Sequence, residues 1–162
     1  MRVLALDLAT KTGWALSHPD GKTLHESGVE DFSLRRGESP GMRYLKFNRW
    51  LRSVIELCNK PSDPDDNRIG LVAHEMAHHR GGAATEVAAG LVTRVQEACA
   101  EYGIEYTSVH SNTLKKHATG HGHAGKDAMI AAAFEKFGVH SVDDNQADAL
   151  NVLDWAIHEF MK

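Results

Sequence analysis

The chain alternates between two hydrophobic periods. Val3-Leu4-Ala5-Leu6 is a short apolar run, and the segments 13–17 and 22–29 are two further β-compatible stretches bounded by Gly and Thr. They predict three strands in an antiparallel meander, the first two joined by a small-residue turn from Ala9 to Gly13. Pro19-Asp20-Gly21 supplies the second turn. The polar segment Asp31–Gly41, with Arg35 and Arg36, reads as an exposed loop. Met42, Leu45, Trp50, Leu51, Val54 and Ile55 then recur at helical spacing, with Arg43, Lys46, Arg49 and Arg52 on other faces. After a Pro/Asp linker over Lys60–Asn67, Ile69–His74 predicts a fourth strand and Ala83–Tyr102 a long helix that Gly103 stops. Ile104–Val109 predicts a fifth strand. A basic, Gly/His-rich segment follows at Leu114–Lys126, then helices at Asp127–Phe137 and Asp144–Phe160.

A meander followed by helix, strand, helix, strand and helices predicts an α/β domain spanning residues 1–162, with a five-stranded mixed sheet flanked by helices. Crossover helices before Ile69 and Ile104 would set those strands parallel to the first. Asp7 and Glu75 would then share the carboxyl edge, where open α/β sheets place their sites.

The net charge of −4 weighs against a simple nucleic-acid-binding module, for which a basic domain is expected. It leaves room for an enzyme with acids in a cleft and bases on one face. Cys58 and Cys99 fall within predicted helices without CxxC spacing, so reduced intracellular thiols are the natural expectation. With no cleavable leader pattern and no membrane-length apolar run, a cytoplasmic location is expected.

The chemistry rests on acids. A carboxylate at the inner end of a buried strand must be paired, neutralised or bound to a cation, although an Asp capping the following turn accounts for Asp7 equally well. Asp143 and Asp144 stand where a helix N-cap belongs. Asp148 lies a turn further in, between Ala147 and Ala149 on an apolar face, where capping fails as an explanation; it shares a helix face with Asp144 at i,i+4. Two strand-end acids and one helical acid are the donor set that hard divalent ions take.

Several segments together resemble a RuvC-type Holliday junction resolvase of the RNase H-like fold. They are the opening Asp7–Leu16 (DLATKTGWAL), Glu75 after a strand, Leu114–Lys126 (LKKHATGHGHAGK) and Asn145–Val152 (NQADALNV). The run His78–Ala84 (HHRGGAA) resembles phage-borne members more than bacterial housekeeping ones, which implies a bacterial host cell. The resemblance implies a crossover junction endodeoxyribonuclease that nicks four-way DNA symmetrically as a homodimer. It further implies two Mg²⁺ or Mn²⁺ ions on Asp7, Glu75 and Asp148. The family's fourth metal residue lies three positions before the last acid, where this chain has Asn145; Asp144, one place earlier, is the expected substitute. Lys115 and Lys126 match lysines that hold the scissile phosphate, with Lys116 beside the first. His78, His79 and Arg80 occupy the loop that engages the branch point. The Ala-rich helix with Gly90 is expected to allow close packing between two copies, although an Ala-rich core helix is equally plausible.

Two other readings compete. His74-Glu75-Met76-Ala77-His78 is a literal HExxH, with Glu97 as a downstream ligand, which would suit a zinc protease. It straddles a predicted strand end, however, and leaves Asp7 and Asp148 unexplained. The other reading is an RNase H-like nuclease cutting flaps or RNA–DNA hybrids, since the hydrolytic chemistry is common to all of these substrates.

Overall fold

In a computed structural model, which describes residues 1–77 and 81–162, five strands form one sheet. They are β1 (Arg2–Asp7), β2 (Lys11–Ser17), β3 (Leu24–Asp31), β4 (Ile69–Glu75) and β5 (Glu105–Val109), in the order β3-β2-β1-β4-β5. β1, β2 and β3 pair antiparallel, whereas β4 runs parallel to both β1 and β5. Helices α1 (Gly41–Cys58) and α2 (Ala83–Tyr102) supply the crossovers; α3 (Ser111–Thr119), α4 (Lys126–Phe137) and α5 (Asp144–Phe160) follow β5. This is the mixed five-stranded α/β architecture that the hydrophobic pattern predicts.

The two-residue period of the strands sorts the core into two layers. Leu4, Leu6, Leu16 and Val72 face Phe47, Leu51 and Ile55 of α1 and Leu91, Val95 and Cys99 of α2. Val3, Ala5, Leu71 and Ala73 face Leu114 of α3, Met129 of α4 and Leu150 and Leu153 of α5. Because β1 pairs Leu6 with His74, Asp7 and Glu75 end neighbouring parallel strands on the α5 side.

Three local expectations are corrected. The turn after β1 covers only residues 8–10, so β2 begins at Lys11, two residues before the expected start at Gly13, which lies within the strand as expected. There is a practical reason for a glycine here: a Cβ on Gly13 would stand 1.9 Å from the Asn145 backbone oxygen, where α5 crosses the strand. The exposed-loop expectation fails at its start, since Phe32 is buried against Phe47 and Trp50. Gly90, finally, does not offer a bare patch to a second copy. A Cβ there would meet the Tyr44 ring at 2.3 Å, so α1 already fills the space.

Candidate active site

Asp7 and Glu75 reach the site as the last residues of β1 and β4, and Asp148 reaches it from the second turn of α5. One carboxylate oxygen from each lies within 4.8 Å of the other two. The approach of α5 is set at Gly13 and by its own start. Asp143 caps the helix, its Oδ1 accepting from the Gln146 N–H at 3.0 Å, as the capping reading of that residue expects. The buried Gln146 then donates from Nε2 to Ser27 Oγ at 3.0 Å, tying the helix start to β3.

The three acids open into a cleft of about 360 Å³ lined also by Ser111, Lys115, Gly125, Lys126, Asp144 and Asn145. Asp144 lies outside the 4.8 Å trio and pairs with Lys126, Nζ to Oδ2 at 3.4 Å. Lys126 heads α4, and Lys115 comes from α3. Lys116, one residue on, lines a neighbouring surface with Thr119, His121 and His123. His78, His79 and Arg80 lie outside the described residues. Sequence reasoning missed two parts of this site. One is Gly13. The other is α3, whose Leu114 and Ala118 spacing and terminal Gly120 were hidden within a segment that its Gly and His content makes look irregular.

The electrostatics suit a cation. Burial, then Asp148, then Glu75 push the Asp7 carboxyl well above its ordinary value. Burial, then Glu75 and Asp144, raise Asp148 to about 7, against the partial counteraction of Lys115 and Lys126. An all-oxygen donor set with negative charge in excess of its lysines fits a hard divalent ion. It does not suit the zinc protease arrangement. His74 faces α2, lining a groove with Val92 and Gln96 across the sheet from the trio, while Glu97 pairs with Arg52.

A stability prediction follows from Asp148. The folded protein holds this proton more tightly than the unfolded chain does. Its stabilising contribution is therefore complete below pH ~4 and lost as pH rises through about 7. In EDTA, Asp148→Asn is expected to be more stable than wild type by a few kcal/mol at pH 8, on the order of the pKa shift. The difference should nearly vanish at pH 4. Denaturant midpoints at the two pH values measure it, and a constant difference would count against the coupled acids.

A scan against family models finds no match, and neither does a search of curated proteins. Solved structures do match. Thermus thermophilus RuvC aligns at TM-score 0.76 and 20% identity, covering 99% of this chain and 96% of RuvC. T. thermophilus RuvC in complex with Holliday junction substrate aligns at 0.78 and 21%, with the same coverage. The Cas12f1–sgRNA–target DNA complex matches at 0.54 and 13%, covering 94% of this chain but 38% of that one. Alignments at these TM-scores over nearly the whole of both chains establish that this five-stranded chain has the RuvC fold, an RNase H-like architecture.

Proposed function

We propose that the protein is a metal-dependent Holliday junction resolvase. The observation that carries this reading is the meeting of Asp7, Glu75 and Asp148 within 4.8 Å of one another, beside Lys115 and Lys126, on the RuvC fold. Asp7, Glu75 and Asp148 would hold one or two Mg²⁺ or Mn²⁺ ions, with Asp144 at the rim as a further ligand. Ions bound there supply an activated water and stabilise the leaving 3′-oxygen. The chain's own groups do the rest. Lys115 and Lys126 place positive charge where the phosphate gains negative charge, and the cleft orients the strand for attack. His78, His79 and Arg80 would engage the branch point, and Lys116 would hold flanking phosphate.

Cutting two strands related by a dyad requires two active sites, hence a C₂ homodimer. Met76 and Tyr106, 45% and 46% exposed, offer apolar surface on the α2 side for that contact. Among the described residues no helix is long and apolar enough to cross a membrane. The proposed substrate places the action on DNA inside a bacterial cell, with the gene carried by the host or by a phage.

The test compares synthetic four-way junction, flap and RNA–DNA hybrid substrates side by side in Mg²⁺. The expected result is paired symmetrical nicks in the junction, with 5′-phosphate and 3′-hydroxyl ends. Faster cutting of hybrid or flap than of junction would replace this reading with the broader RNase H-like one. Junction affinity should also fall steeply with added salt, since an acidic protein must bind through a local basic cluster.

A further inference from the structure

A second polar cluster lies on the α5 side of the sheet, outside the cleft. His117 Nε2 stands 2.8 Å from Asp154 Oδ2, and Lys136 Nζ lies 3.4 Å from Asp154 Oδ1. The His158 ring stands beside that of His117, with centroids 5.2 Å apart. The side chains of His117 and Asp154 are each only 20% exposed, so the bond between them is partly shielded from water. Neither residue lines the acidic cleft. The bond joins α3, which carries Lys115, to α5, which carries Asp144 and Asp148.

α3 has nine residues, too few to be a stable helix without tertiary contacts, so its contacts also set how it is turned. Successive side chains turn by roughly 100° about its axis. Leu114 and Ser111 are buried and Ala118 is packed against the core, so these three form the seated stripe. His117 then falls on one flank of that stripe and Lys115 on the other. A helix seated on one apolar stripe resists roll about that stripe less than displacement from it. A polar bond on one flank stops the roll and fixes the opposite flank.

We propose that the His117–Asp154 pair is a positioning device for Lys115, locking the roll of α3 so that the lysine ammonium stands over the catalytic carboxylates. The lock and the acids share one rigid element, because Asp154 lies on the same helix as Asp148. Any tilt of α5 therefore carries both together and keeps Lys115 in register with them. The electrostatic influence of Lys115 on Asp148 agrees with that placement. The inference rests on the nuclease reading above.

Single-turnover cleavage of a synthetic four-way junction in Mg²⁺ tests it, with junction affinity measured separately in EDTA. His117→Ala is expected to slow cleavage by roughly 10- to 100-fold, the scale of a misplacement near 1 Å, while affinity changes by less than about 3-fold. His117→Gln keeps a donor toward Asp154 and should recover most of the rate; it also serves if the alanine variant does not fold. In a Lys115→Ala background, His117→Ala should add almost nothing, because the group it positions is gone. A His117→Ala protein that cuts at the wild-type rate overturns the proposal, and so does a loss that multiplies undiminished with Lys115→Ala. Wild-type protein that cuts no branched or hybrid substrate overturns the nuclease reading itself, and this inference with it.

Discussion

Replacing Asp7 by Asn is expected to abolish junction cleavage, by on the order of 10³-fold or more, while the folded protein becomes more stable in EDTA. The two effects have one cause. Asp7 is buried beside Asp148 and Glu75, and both the burial and those two charges oppose its ionisation. Removing the charge relieves that opposition, but it also takes away one of the three oxygen donors at the point where they converge. Junction binding should persist, because the lysines that would carry it are untouched. Cleavage assays, thermal melts in EDTA and gel-shift titrations measure the three quantities. Cleavage near the wild-type rate would remove Asp7 from the chemistry. Lost cleavage together with a lower melting temperature in EDTA would make the loss one of folding instead.

The second large effect is expected at a residue with no chemistry of its own. In Gly13→Ala, the new methyl would stand 1.9 Å from the Asn145 oxygen, 2.3 Å from its carbonyl carbon and 2.9 Å from the Gln146 nitrogen. All three are backbone atoms near the start of α5, so no side-chain rotation relieves the clash and the helix must move off β2. Overpacking of this kind costs about 1–3 kcal/mol. For a chain of this length that lowers Tm by roughly 2–12 °C. Asp144 and Asp148 ride on the displaced helix, so cleavage should fall by about 100-fold even below the melting transition. An alanine variant with wild-type melting and cleavage would show that α5 does not depend on this contact.

The residues that were legible in the sequence are those whose local setting is chemically odd. Asp7 and Glu75 end apolar strands, and Asp148 interrupts an alanine-rich helix face, so each needs an explanation before any fold is known. The parallel placement of β4 beside β1, which makes neighbours of the first two acids, follows from the crossover helix between them. What remained hidden depends on contacts between distant segments. Gly13 looks like an ordinary glycine where turn passes into strand until α5 is laid across it. Gly90 looks like a site for a partner helix until the Tyr44 ring is found in its place. α3 escaped notice because Gly120 and Gly122 lend the whole stretch an irregular look, although the bond from His117 to Asp154 makes sense only once α3 is a helix. HExxH shows the opposite failure. The strand period turns His74 away from Glu75 to the other face of the sheet, so adjacency in sequence separates them in space.

The central claim is that the three acids hold divalent ions together, and anomalous diffraction from crystals soaked in Mn²⁺ tests it most directly. The predicted result is one or two peaks at about 2.0–2.2 Å from carboxylate oxygens of Asp7, Glu75 and Asp148, lost in Asp7→Asn crystals. A saturating soak that leaves this trio without a peak, or that places manganese only elsewhere on the molecule, would contradict the claim.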